Sequence, residues 1–187
     1  MPARKKDTLF FDRPPVVAAW AAAGGKKESE GPLSSQFDFL TQDGGFSAQG
    51  CTDWEQAESL LQQQAAGLCL RKAGVARKDV QLTFAGDLQA QCTASNYTMR
   101  TLGTPFAGVY GACSTMAETL ALAACFAACG LAQQALALTS SHFCAAERQF
   151  RTPLPYGAKR APTAQWTATA AGACLVRAPG AAGVPVL

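Results

Sequence analysis

The sequence predicts a layered α/β fold, and three observations predict it. Short apolar runs at residues 80–85, 106–110 and 135–139 read as strands buried on both faces. Helical periodicity fills the intervals, with Gly74, Gly103 and Gly130 at the expected ends. The resulting order of strand, helix, strand, helix, strand and a closing strand builds one sheet with right-handed crossovers.

At the N-terminus, Pro14 and Pro15 forbid a helix, so Thr8 to Trp20 is expected as an early strand or extended arm, and residues 1–30 as a partly ordered N-terminal arm. Glycine, serine and charge from Gly24 to Gly50 predict an excursion over the surface, with Leu33, Phe37, Phe39 and Leu40 as docking points. Asp53 caps a helix over residues 54–73, whose stripe is Trp54, Ala57, Leu61, Ala65, Leu68 and Cys69. Residues 80–85 enter the sheet and deliver Asp87 at the strand's carboxyl end. Ala90 to Leu102 is a helix closed by Gly103, and Pro105 opens the central strand.

That strand leads to the stretch on which the functional argument turns. Gly108 and Gly111 permit close backbone approach around a tight turn carrying Cys113. Thr115 with Glu118 forms a capping-box pattern, so a long apolar helix begins at Ser114 or Thr115 and stops at Gly130. The next strand, 135–139, delivers Ser140, Ser141 and His142. A short helical turn at 143–149, a proline- and glycine-rich loop at 151–162, and a strand at 165–176 bent at Ala171-Gly172 complete the chain.

Composition narrows the function classes. With 187 residues the chain suits one domain, and 16% charged against 49% hydrophobic residues is a globular balance. The net charge of +3, concentrated at Arg4, Lys5 and Lys6, is too small to argue for nucleic acid. Eight cysteines invite a disulfide count, yet Cys69, Cys125, Cys129 and Cys174 lie in apolar runs and no metal-ligand spacing occurs, so reduced packing residues and no metal site are expected. Asp7, Asp12, Arg13 and two prolines break the faint imitation of a secretory leader. The uncharged run from Thr119 to Leu138 contains Gly130, Gln133 and Gln134, which fits a buried helix and a strand better than a membrane span.

In open α/β sheets, function gathers at the carboxyl ends of strands, where Asp87, Cys113 and His142 fall. A thiol at a helix N-terminus meets free N–H groups and the positive end of the dipole, which suits a nucleophile. The same groups at Cys113, Ser114 and Thr115 suit recognition of a carboxylate or phosphate without any covalent step. A small unreactive residue packed where strand meets helix is the third reading of Cys113. His142 is the single histidine, so acid–base chemistry from this chain runs through it; it is a catalytic, ligand-contacting or structural residue. Arg148 and Arg151 offer planar forks for a carboxylate pair, or a solvated surface, and Trp166 or Tyr156 a cover for a flat ring.

Several ordered motifs carry a resemblance. Gly111-Ala-Cys-Ser-Thr115 with Glu118-Thr-Leu-Ala-Leu122 resembles the nucleophile turn of thiolase-like proteins. Ala137-Leu-Thr-Ser-Ser-His142, Ala146-Glu-Arg-Gln-Phe-Arg151, Tyr156-Gly157 and Pro162-Thr-Ala-Gln-Trp-Thr167 narrow it, with Glu30-Gly-Pro-Leu33, Trp54-Glu-Gln-Ala-Glu58 and Ala85-Gly-Asp-Leu88 upstream. Together they resemble the stage V sporulation protein AD family. The resemblance implies the N-terminal half of a thiolase-like layered α/β/α/β/α fold, with residues 31–43 as an ordered insertion near the site. It also implies a non-catalytic protein that binds dipicolinic acid, alone or as its calcium chelate, with no other cofactor. Cys113, Ser114, Thr115, Ser141, His142, Arg148, Arg151 and Trp166 are then the ligand-binding residues, and Cys113 is catalytic only if the protein is an enzyme.

The implied setting is peripheral to the forespore or spore inner membrane. There a homodimer, paired through edge strands, works with the membrane subunits that move dipicolinate into the forespore and release it at germination. The rival expectation is an acyl-CoA or acyl-carrier condensing enzyme with Cys113 as nucleophile. Met116 and the cysteines at 125, 129 and 144 depart from the family pattern, and Met116 is expected to reshape the pocket floor.

Overall fold

In the computed structural model, which describes residues 2–43, 46–150, 163 and 165–185, a mixed sheet carries helices on both faces. In chain order the elements are β1 (Pro2–Lys5), β2 (Thr8–Phe11), β3 (Val16–Gly24), α1 (Lys26–Ser29), β4 (Phe39–Leu40), α2 (Trp54–Ala73), β5 (Leu82–Asp87) and α3 (Thr93–Leu102). They continue with β6 (Phe106–Gly108), α4 (Thr115–Ala128), β7 (Gln134–Ser141), α5 (Phe143–Phe150), β8 (Ala170–Arg177) and β9 (Val184–Pro185).

The seven-stranded sheet has the order β4-β3-β8-β7-β5-β6, with β9 also against β3. Strands β5, β6 and β7 run parallel, and β8 is inserted antiparallel between β7 and β3. Successive side chains on a strand face opposite ways, and the core divides accordingly. Ala85, Leu136 and Leu138 join α2 residues such as Leu61 and Cys69 on one side, while Phe84, Ala135 and Ala137 meet Ala123 and Ala127 of α4 on the other.

Asp53 Oδ1 accepts the Gln56 N–H at 2.7 Å, and Gly74 ends α2 in the left-handed conformation, as the capping argument expects. Burying a side chain such as Leu61, fully enclosed on this helix, contributes about 2 kcal/mol. Helix α4 is only half covered. Thr115, Thr119, Ala123, Ala124 and Ala127 face the sheet, whereas Ala117, Ala121, Leu122 and Cys129 lie on an open side.

Of the strand or extended arm expected over Thr8 to Trp20, the strand is found: residues 2–11 form a β1–β2 hairpin and residues 16–24 a full strand of the main sheet, because Val16 to Gly24 finds β8 as a ladder partner. Three expectations change. The capping box does not form: Thr115 Oγ1 accepts from the Gly111 N–H and donates to the Ala112 carbonyl, while the Ser114 hydroxyl, not a backbone N–H, meets Glu118. The bend at Ala171-Gly172 is absent, since β8 is paired on both edges through these residues. Lastly, the strand placed at 80–85 is found two residues later, at Leu82–Asp87, and the Asp87 carboxylate is satisfied by donors from the start of α3.

Candidate functional site

The carboxyl ends of β5 and β7 and the turn before α4 surround a cavity of about 530 Å³. Its construction begins with close backbone approach. A Cβ at Gly86 would run into the carbonyl oxygen of Val109, so only glycine lets β5 and the turn after β6 come together. Ala112 adopts φ of +49°, a left-handed conformation that costs a non-glycine residue energy, and the turn so formed presents Cys113. Thr115, buried, holds the turn closed through its two hydroxyl contacts.

Cys113 is exposed and lines the cavity together with Ala112 and Met116, so the methionine sits in the pocket wall. Thr139 and Ser141 from the end of β7 face them, with Ser140 between turning its hydroxyl to α2, and Phe37 closes another side from the insertion the resemblance placed near the site. The Ser141 hydroxyl donates to the Ala168 carbonyl at 2.6 Å and fastens β7 to the segment before β8. Among the described residues, the lining carries no charged side chain.

The other expected site residues are dispersed. His142 is not in the lining; it is buried, its ring stacks on Trp54 of α2 at 5.3 Å, and its Nδ1 accepts the Cys144 N–H at 3.2 Å. Its carbonyl accepts from Ala146 N at 2.9 Å, which starts α5. Arg148 is ion-paired with Glu55 and lies in a different groove, of about 390 Å³, beside Asp43, Asp53 and Trp54. Trp166 is half exposed, packs on Phe143 at 4.6 Å and lies under the Lys27 ammonium at 4.1 Å. Ser114 is exposed and bonded to its own turn. Arg151 and Tyr156 lie outside the described residues.

Sequence reasoning missed a polar cluster beneath the cavity. Glu58 and Gln62, both fully buried on α2, bond Ser140, Ser95 and Gln89, and the Ser95 hydroxyl in turn donates to Asp87. Burial and the neighbouring Asp87 charge push the Glu58 carboxyl up to about 7, against donation from Ser140, Gln89 and the His142 backbone. Burial also pushes Asp87 up, opposed by donors from Ser95, Gln89 and Ala94. The signal was present in the helix pattern. Glu58 and Gln62 flank Leu61 inside the apolar stripe of α2, where a solvated carboxylate has no place.

The sheet order and the strand-to-helix cysteine turn are those of a thiolase-like fold, and solved structures agree. The chain superposes with TM-score 0.58 on an OleA variant of Xanthomonas campestris, at 17% identity over 90% of this chain and 57% of that one. It also superposes on 3-oxoacyl-[acyl-carrier-protein] synthase III of Aquifex aeolicus, with TM-score 0.54 at 14% identity over 89% and 55%.

Closer kinship comes from sequence. A family model described as stage V sporulation protein AD matches residues 5–184. Stage V sporulation protein AD of Bacillus subtilis is 42% identical over 173 residues, 91% of this chain and 50% of that protein. The chain belongs to the stage V sporulation protein AD family, and it spans about half the length of the curated relative it matches. Among the described residues, no helix is long and apolar enough to cross a membrane.

Proposed function

We propose that this chain supplies the cysteine-bearing half of a non-catalytic thiolase-fold protein that holds dipicolinic acid and supports its entry into the forespore and its release at germination. The observation that carries the reading is the cavity at the Cys113 turn. Its volume of about 530 Å³ suits one small planar ring, and the Thr139 hydroxyl in its wall is of the kind that holds a carboxylate oxygen, while those of Ser140 and Ser141 donate to Glu58 and Ala168. A lining free of charge among the described residues favours the calcium chelate of the acid over the bare dianion.

Partners follow from the same reading. The outer edge of β6 ends the sheet, and a second copy paired along it gives a homodimer. Attachment to the forespore inner membrane runs through membrane subunits of the dipicolinate transport complex.

The competing reading is an acyltransferase with Cys113 as nucleophile, favoured by the exposure of that thiol inside the cavity. Titration calorimetry with dipicolinate, with and without calcium, separates the two. The wild-type chain is expected to bind and Cys113→Trp, which fills the cavity, to lose binding. Absence of heat from the wild type, together with mass-spectrometric acylation of Cys113 by acyl-CoA, would overturn the ligand reading in favour of the enzyme.

A further inference from the structure

Among the described residues, four glycines stand inside strands of the main sheet: Gly24, Gly86, Gly108 and Gly172. Crowding accounts for three of them. A Cβ at Gly24 would meet the Phe37 ring at 2.9 Å, one at Gly86 would run into the Val109 carbonyl oxygen, and one at Gly108 would press on Phe106 at 3.3 Å. A Cβ at Gly172 would meet nothing within 4 Å. The backbone asks for no glycine there either. Gly172 lies outside the left-handed region, and β8 is laddered on both edges through it without a shift of register. A strand interior of this kind favours β-branched and aromatic residues, and glycine weakens it through chain entropy and missing contacts.

Strand alternation gives the direction in which the missing side chain would point. Ala171, Ala173 and Leu175 pack on the α2 side of the sheet, whereas Cys174 and Val176 pack with α4. Gly172 has the parity of the second set, so its missing Cβ points to the α4 side. Its ladder partners are Ala22 of β3 and Thr139 of β7. They point the same way, because Ala21, Ala23, Leu136 and Leu138 occupy the α2 side and Ala137 the α4 side.

Ala22, Gly172 and Thr139 all line the cavity at the Cys113 turn. The open space over Gly172 is therefore the cavity itself, and these three neighbours form its floor. Three adjacent strands make a patch about 10 Å wide, broader than a six-membered ring, and its centre carries no side chain. Met116 and Phe37 bring the larger side chains of the cavity from other elements.

We propose that Gly172 is a specificity-determining residue of this cavity: the missing side chain leaves room for the flat face of a ring to lie on the sheet between Ala22 and Thr139. This inference rests on the ligand reading given above. A ring lying flat on backbone and a neighbouring methyl gains contact over its whole face. One added carbon at position 172 stands where the ring would lie, and a branched side chain occupies the middle of the floor. The strand gives up stability at this position, and the cavity keeps its depth.

The test pairs calorimetric titration of dipicolinate, with and without calcium, with urea unfolding of the full chain as wild type, Gly172→Ala and Gly172→Val. Both variants are expected to unfold at or above the wild-type urea midpoint, since the space is open and the backbone admits a side chain. Affinity is expected to fall with the size of the new side chain, roughly tenfold for alanine and to complete loss for valine. Gly172→Ala unfolding at lower urea than the wild type would show that packing requires the glycine, and would overturn the proposal whatever the binding. Variants as stable as the wild type that bind dipicolinate with wild-type affinity overturn it as well, and leave the ligand reading standing. Absence of binding by the wild type overturns the ligand reading and the proposal with it. Should Gly172→Val not fold, the alanine variant decides alone.

Discussion

Raising the pH from about 4.5 to about 7 is expected to destabilise this fold by ionising Glu58 in place. The carboxyl is fully buried and its folded-state value, about 7, stands above the ordinary value of 4.5. A raised carboxyl contributes stability that is complete below the unfolded value and is lost as pH rises through the folded one. The difference of about 2.5 units, 7 minus 4.5, at 1.36 kcal/mol per unit, corresponds to ~3 kcal/mol lost across that window. Asp87, also raised by burial, adds a loss of the same sign beginning lower. Urea unfolding of wild type and Glu58→Gln at about pH 5 and about pH 8 measures this, since the variant lacks the titrating group but keeps the volume and both hydrogen bonds. The wild type is expected to lose ~3 kcal/mol more than the variant between the two conditions. Equal losses in the two proteins would refute the argument that Glu58 is buried without a compensating cation among the described residues.

Gly86→Ala is expected to cost more than about 3 kcal/mol in the same unfolding assay, because the new Cβ meets the Val109 backbone and not a flexible side chain. Thiol labelling of the native chain is expected to modify Cys113 and Cys129, both exposed, and to spare Cys69, which burial pushes up to about 12; labelling of Cys69 at the rate of Cys113 would contradict the packing of α2 on the sheet.

Local signals made much of this fold legible. The boundaries of α2 are written in Asp53 and Gly74, and the apolar runs of β5 and β7 announce strands covered on both sides. Ladder partners are not local, which is why the place of β3 beside β8 was invisible from residues 8–20 alone. The cavity was half legible. A glycine-rich turn carrying Cys113 has a local signature, but the neighbourhood of His142 depends on strand alternation: Ser140 and His142, two positions apart, both turn toward α2. Glu58 went unread as a buried carboxyl because its setting comes from Asp87 and Ser140, distant in sequence and adjacent only after β5 and β7 pair.

The insertion of β8 between β3 and β7 sets the timetable of folding. Residues 16–24 emerge from a ribosome well before residues 170–177, yet they are neighbours in the sheet. Until β8 arrives, β3 and the β7 edge of the parallel strands are two unjoined pieces, each with a free ladder edge. Closure of such distant pairs is slow, and the waiting edges are open to other chains. A nascent chain stalled before residue 170 is therefore a stronger client for chaperones than one from which β8 has emerged.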